Sequence, residues 1–354
     1  MQRQIQLTEW LHSQFPDEAF TLAPASADAS FRRYFRATFH NRTLIVMDAP
    51  PQHEDCRPFL HVAALFENAG AHVPHVYAQD LEQGFLLLSD LGNITYLQAL
   101  QGENAGAARD LYGAATDALI KIQLASRESE LPPYNEALLL REMRLFPEWY
   151  IARHLNVTLS EAQNSKLETV FARIIANNLS QPKVYVHRDY HSRNLMYIER
   201  PLLNPLPQAG EEANEKGNFL TSPGILDFQD AVYGPITYDL ASLFKDAYIR
   251  WEEAQVIDWL IRYWEKARKA GLPVHEDFSG FYRDYEWMGV QRHLKVLGIF
   301  ARLYHRDGKD GYLKDLPLVM AYLRAACTRY IDLKPLLNLL DTLEPQGSKE
   351  GYTF

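Results

Sequence analysis

At roughly 100–200 residues per domain, a chain of 354 residues makes two domains or one large bilobed one. Its 47% hydrophobic and 23% charged residues exclude wholesale disorder and leave ample material for a core. A net charge of −9 without basic blocks argues against binding nucleic acid or anionic membrane through bulk charge. A local basic pocket stays open, because charge is screened over only about 8 Å in physiological salt.

The two cysteines, Cys56 and Cys327, sit in no metal-type spacing, so a reducing compartment is expected. The first ten residues lack the apolar core of a signal peptide. No apolar run approaches the roughly 18 residues of a membrane span. The expectation is a cytoplasmic monomer with no nucleic-acid or membrane partner.

In chain order, residues 7–15 read as a short opening helix. Strands are expected over 31–39 and 43–47, joined by the turn His40-Asn41-Arg42. Pro50, Pro51 and Pro58 punctuate a loop, and a helix from about 58 to 68 stops at Gly70. Two more strands follow at 73–78 and 84–88, and Ser89-Asp90-Leu91-Gly92 breaks the pattern. Beyond Gly92 the reading is mostly helical. Leu240, Leu243, Phe244, Ala247, Tyr248 and Trp251 keep helical spacing, as do Val256, Trp259, Leu260, Tyr263, Trp264 and Ala267. One strand-rich island interrupts the helices at about 183–229. Within it, residues 199–224 hold four prolines, three glycines and no periodicity, the pattern of a solvated insertion.

The island carries the chemistry. Val184-Tyr185-Val186 is a short apolar strand that runs into His187-Arg188-Asp189-Tyr190-His191-Ser192-Arg193-Asn194. Leu195-Met196-Tyr197-Ile198 is a second strand, and Gly224-Ile225-Leu226 is a third that delivers Asp227. Mg²⁺ takes one or two protein oxygens and completes its octahedron with phosphate and water. Asn194 and Asp227 fit as those ligands, which leaves Asp189 to accept or orient the proton of an attacking hydroxyl. His-Arg-Asp, an Asn five positions after the Asp, then Asp-Phe is the order of a kinase catalytic loop. A metal is also needed electrostatically, since two carboxylates near a polyanionic nucleotide repel it unless cations intervene.

With these residues in view, the chain resembles the aminoglycoside phosphotransferase and choline kinase superfamily over nearly its whole length. The resemblance implies an α+β, bilobed protein-kinase-like fold. Residues 1–88 would form a small nucleotide-binding sheet lobe, 89–92 a hinge and 93–354 a larger helical lobe. Within the superfamily, four blocks are most similar to the anomeric kinases of N-acetylmuramate and N-acetylglucosamine. They are Asp28-Ala29-Ser30-Phe31-Arg32-Arg33-Tyr34-Phe35-Arg36; Val46-Met47-Asp48-Ala49-Pro50-Pro51; Leu226-Asp227-Phe228-Gln229-Asp230-Ala231 with Gly234-Pro235 and Tyr238-Asp239-Leu240, a block shared across the superfamily; and Gln291-Arg292-His293-Leu294-Lys295-Val296-Leu297-Gly298-Ile299-Phe300.

The resemblance implies ATP and Mg²⁺ as cofactors, an amino sugar as acceptor, and a role in peptidoglycan recycling. Asp189 would be the base, and Asn194 and Asp227 the metal ligands. The backbone of Leu88, Asp90 and Leu91 would bind adenine, and Asp239 would anchor the catalytic loop. Two departures stand out: no Gly-rich phosphate loop is present, and the strand that usually bears a phosphate-binding lysine ends in Ile45-Val46-Met47-Asp48. Ser30 would then make the turn over the phosphates. Arg33 would supply the missing charge, facing the cleft with Phe31 and Phe35, while Arg32 and Arg36 face solvent. His191, Asp230, Glu142, Arg144 and Trp149 are candidates for contacting the sugar; each also fits a loop-stabilising or solvated role. The competing functions are a kinase of another small alcohol, such as an amino alcohol or aminoglycoside, and an inactive nucleotide-binding protein.

Overall fold

The computed structural model describes residues 2–27, 31–101, 107–198 and 222–345. The chain divides into two compact units. One holds residues 1–125 and 193–230, the other 126–192 and 231–354.

The first unit opens with α1 (Gln2–Gln14), then β1 (Thr21–Ala27), β2 (Arg33–Thr38), β3 (Thr43–Asp48), α2 (Arg57–Asn68), β4 (Val76–Asp80) and β5 (Phe85–Ser89). The strands form one antiparallel sheet in the order β1-β2-β3-β5-β4. Its core is built from alternating strand residues: Phe35, Ala37, Val46, Phe85 and Leu87 pack with Leu7, Trp10 and Leu11 of α1. β1 was not expected from the sequence. It is an edge strand with a bulge between Pro24 and Ser26, the place where a sheet tolerates a residue without an N–H. The connection at 39–42 closes with Phe39 N–H donating to Arg42 O (2.9 Å), as the turn residues implied. α2 stops at Gly70, whose φ of 79° is the left-handed conformation glycine supplies. The short α3 (Tyr96–Gln101) and the long α4 (Ala108–Leu124) complete this stretch.

The chain then contributes α5 (Glu136–Leu145) to the second unit. α5 continues into a π-helix, Phe146–His154. Pro147 cannot donate to Met143 O, which Phe146 N–H takes instead, and by Leu155 the backbone bonds five residues back to Tyr150. α6 (Glu161–Leu179) and β6 (Lys183–Val186) follow. Residues 193–230 return to the first unit with the two-residue strands β7 (Leu195–Met196) and β8 (Gly224–Ile225), which pair antiparallel. The expected insertion at 199–224 lies outside the described residues from 199 to 221.

β9 (Val232–Pro235) pairs antiparallel with β6, and it too was not expected, because Gly234 and Pro235 mask it. The helices α7 (Tyr238–Phe244), α8 (Glu253–Lys269), α9 (Phe278–Asp307), α10 (Leu316–Arg329) and α11 (Lys334–Leu343) complete the second unit. The helix expected to run through Trp251 ends at Phe244. Lys245 leaves the helical region (φ −114°, ψ 48°), and the Asp246 carboxylate accepts from Tyr248 N–H (3.0 Å) instead of allowing another turn.

α9 is the axis of the second unit. Asp277 caps its start by accepting from Gly280 N–H (2.8 Å), and Gly308 (φ 67°) ends it. Residues 285–298 are buried almost without a break. At Gly298 a Cβ would stand 2.4 Å from the backbone carbon of Leu145, so only glycine lets α9 approach the end of α5 this closely. At Gly289 on the same helix, a Cβ would meet only side chains, Lys245 at 3.4 Å and His293 at 3.7 Å. Gly298→Ala should therefore destabilise the protein by about 1–3 kcal/mol or more through overpacking, although alanine is the better helix former by about 1 kcal/mol. Gly289→Ala should cost far less. Thermal unfolding of the two variants checks this; equal midpoints would remove the close approach as the reason for glycine.

Candidate active site

β6 delivers His187, Arg188 and Asp189. Arg188 holds a left-handed backbone, φ 79°, which is strained for a residue with a long side chain. The Asp239 carboxylate at the start of α7 supports that strain. Oδ2 accepts from His187 N–H (2.7 Å) and Oδ1 from Arg188 N–H (3.0 Å). Asp239 is 1% exposed. Burial raises its carboxyl to about 7, against the lowering effect of those two N–H groups. The far end of the loop is held the same way. Asp246 Oδ2 accepts from Ser192 N–H (2.9 Å) and from Ser192 Oγ (2.5 Å).

Asp189 stands between these anchors. Burial alone would raise its carboxyl, but the charges of Lys295, His191, Arg292 and Arg188 outweigh burial and hold it at about 2. It is an anion at every physiological pH. That suits it to accept and orient a hydroxyl proton more than to hold a proton early in a reaction.

Glu142, expected as a sugar contact, belongs to the interior. It is 5% exposed and gathers Arg188, Tyr134 Oη, Lys295 Nζ (3.1 Å) and Gln291 Nε2 (3.0 Å). Both of its oxygens are engaged by protein groups, and one of them holds Arg188. Arg144 lies on the other face of α5 and pairs with Glu168 (3.3 Å) on the surface. Trp149 is half-buried in the π-helix. His191 is buried and meets the Tyr248 ring edge-on at 5.4 Å.

The other acidic group lies in the first unit. Asn194 just precedes β7, and Asp227 follows β8 in a left-handed conformation, φ 64°. The pairing of β7 with β8, and Leu226 N–H donating to Asn194 O (2.9 Å), bring the two together. Asn194 Nδ2 is 3.4 Å from Asp227 Oδ2, and Gln229 Nε2 donates to Asp227 Oδ1 (2.8 Å). Phe228 is fully buried against Phe59 (4.9 Å) and Phe66 (5.9 Å) of α2, so its packing aims the exposed Asp227. One carboxylate beside one amide oxygen is a donor set that fits Mg²⁺ with phosphate and water filling the remaining positions. Among the described residues, no group of three or more His, Cys, Asp or Glu side chains could hold a metal by itself. Asp230 is exposed.

The remaining expected nucleotide contacts are also in the first unit. Leu88 lies in β5 opposite Ile45, and Leu88 and Leu91 are both buried. Asp90 takes the Arg36 guanidinium (2.6 and 3.0 Å), which also donates to Gly92 O (2.9 Å), so Arg36 is a brace and does not face solvent freely. Ser30 lies outside the described residues. Phe31 is 62% exposed and stacks on His53 (4.5 Å), so it does not pack inward with Phe35. The antiparallel register sets Arg33 directly opposite Asp48. Arg33 Nε donates to Asp48 Oδ2 (3.0 Å), and Arg3 Nε donates to Asp48 Oδ1 (2.6 Å). The Arg33 charge is thus matched by a carboxylate that is itself fully buried.

From α9, Gln291 binds Glu142 and the charges of Arg292 and Lys295 bear on Asp189; no role follows for these three residues from the sequence alone. The available signal was a run of polar residues, with His293, set between Val290 and Leu294, Val296 and Leu297.

No helix among the described residues is long and apolar enough to cross a membrane. The sequence profile of the phosphotransferase enzyme family matches residues 21–202 and 216–278. The N-acetylmuramate/N-acetylglucosamine kinase of Neisseria meningitidis serogroup B is 49% identical over the whole of both chains. The protein of the same name from Pseudomonas aeruginosa is 48% identical over 97% of each. Among solved structures, ADP-bound aminoglycoside phosphotransferase APH(2'')-Ib shares the fold. Its TM-score is 0.54 at 15% identity, covering 90% of this chain and 97% of that one.

The raised carboxyl of Asp239 gives a testable sign. Its folded pKa of about 7 lies above the ordinary 3.8, so its contribution to stability is complete below about pH 4 and is lost as pH rises towards 7. The stability advantage of the wild type over Asp239→Asn should therefore shrink across that interval. Chemical denaturation from pH 4 to pH 7.5 measures it, and a constant difference would show that Asp239 is not held protonated by burial. A profile match over more than half the chain, on a fold of this type, establishes that the chain belongs to the phosphotransferase enzyme family.

Proposed function

We propose that the chain transfers the γ-phosphoryl group of ATP to the anomeric hydroxyl of N-acetylmuramate or N-acetylglucosamine, giving the α-1-phosphate and ADP in peptidoglycan recycling. The observation that carries this reading is identity of 46–49% along essentially full-length relatives that bear those two sugars in their names. The surroundings of Asp189 support it. Arg188, Arg292 and Lys295 all place positive charge there, which disfavours a cationic acceptor such as an aminoglycoside or an amino alcohol. A sugar acetylated at nitrogen carries no such charge.

The ionised Asp189 carboxylate accepts a hydrogen bond from the anomeric hydroxyl and aims its lone pair at phosphorus. The anomeric oxygen forms a bond to the γ-phosphorus, and the bond from phosphorus to ADP breaks with its electron pair leaving on ADP. The hydroxyl proton passes to Asp189 late, as suits a loose transition state and a weak base. Asn194 and Asp227 would hold Mg²⁺, which when bound offsets negative charge on the phosphates. The neighbouring Gln229 keeps one Asp227 oxygen oriented.

ADP release measured with each N-acetyl sugar and with a cationic aminoglycoside tests the acceptor. Stimulation by the aminoglycoside alone would overturn the reading. Asp189→Asn should lower turnover by at least about 100-fold while leaving ATP affinity nearly unchanged, because the carboxylate acts mainly in the transition state. A variant keeping more than about a tenth of wild-type turnover would exclude Asp189 as the base. Asp227→Ala should abolish the Mg²⁺ dependence of ATP binding, since an amide oxygen alone holds the ion poorly. Calorimetry with Mg·ATP against ATP in chelator reads that difference, and unchanged Mg·ATP affinity would take Asp227 out of the metal site.

A further inference from the structure

On the buried face of α9, the Arg292 guanidinium has two donor nitrogens without a partner. Gln291 donates to Glu142, and Lys295 binds Glu142 and Tyr238 Oη (3.1 Å). Arg292 lies one residue from the first and one helical turn from the second, and is 4% exposed. Its Nε and Nη1 are buried and meet no hydrogen-bond acceptor. Buried guanidinium donors without acceptors are costly, and proteins keep such groups where a ligand completes them. The charge of Arg292 bears on Asp189 and on Asp239, which sets it beside the catalytic loop. Steadying Asp189 does not by itself require open donors, because Arg188 and Lys295 contribute to it while paired with Glu142.

We propose that Arg292 binds an oxyanion of the reacting complex, received at the hydroxyl that Asp189 activates. Two sources share that chemistry: the phosphoryl group in transfer, and the carboxylate of an acidic acceptor such as N-acetylmuramate. The open Nε and Nη1 lie on different edges of the guanidinium plane, so either can donate a charge-assisted hydrogen bond to an oxyanion oxygen. The first unit strengthens the need for it. Where a phosphate-binding lysine would stand, the strand carries Met47 and the buried Asp48, and Arg3 and Arg33 are spent on that carboxylate. The inference rests on the kinase reading above, and it assigns phosphate or carboxylate recognition to a helix of the second unit.

Arg292→Gln and Arg292→Lys test it, with folding followed by thermal unfolding and ADP release measured with N-acetylmuramate, with N-acetylglucosamine and without sugar. Arg292→Gln should lose about 100-fold or more in kcat/KM on at least one sugar, the scale of one oxyanion donor. Arg292→Lys should recover only part, because a compact ammonium does not place its donors where the guanidinium nitrogens lie. A phosphoryl source lowers kcat on both sugars and lowers sugar-free ATP hydrolysis as well. A carboxylate source raises KM for N-acetylmuramate alone, by about tenfold or more, and leaves N-acetylglucosamine and hydrolysis unchanged. A folded variant within about threefold of wild type in all three assays would overturn the proposal. If Arg292→Gln does not fold, a wild-type-like Arg292→Lys overturns it equally. A wild type that responds to neither sugar counts against the acceptor reading. Sugar-free hydrolysis then decides Arg292: a loss in the variants supports it, and unchanged hydrolysis overturns it.

Discussion

One carboxylate takes two consecutive backbone N–H groups, and the loop that carries Asp189 depends on that grip. Asp239 binds the amides of His187 and Arg188 at once, which is possible only because Arg188 turns into the left-handed region. Without an acceptor there, two buried donors would be left unpaired and the turn would relax towards ordinary backbone angles. The direction in which Asp189 leaves β6 follows from that turn. Asp246 repeats the device at Ser192, so carboxylates hold the loop at both ends.

The second constraint is charge. A half-buried Asp189 needs cations nearby to remain ionised, and those cations need anions to remain buried. Glu142 resolves the conflict. It draws in Arg188 and Lys295 while Tyr134 and Gln291 fill its remaining lone pairs. The first unit solves a similar problem at Asp48, where two arginines from α1 and β2 meet one buried carboxylate. In both places a buried carboxylate gathers two cations, deep inside the unit at Glu142 and from the surface inward at Asp48.

The order Asp189, Asn194, Asp227 was legible because short strands with a fixed apolar pattern deliver each residue. The five-stranded sheet was largely legible as well, since β2, β3 and α2 carry clean periodicity and turn residues. β1 and β9 were not, because Pro24 and the Gly234-Pro235 pair read as loop and only pairing with a neighbour makes them strands. Glu142 looked like a solvated helix end, yet it falls on the face of Leu139, Met143 and Phe146, all fully buried, and that spacing already marks it as interior. The pairing of Arg33 with Asp48 depends on strand register, which a sequence does not display.

The interleaving of the two units has a consequence for synthesis. The first unit begins at the N-terminus, yet it lacks β7, β8, Asn194 and Phe228 until residue 230 has been made. Its long-range pairings, such as His72 with Gly224, close loops of well over a hundred residues and so form late. While the chain emerges, the pocket between Phe59 and Phe66 must wait for Phe228 with its apolar surface open. The nascent sheet is thus the stretch that most needs shielding from aggregation until the middle of the chain arrives.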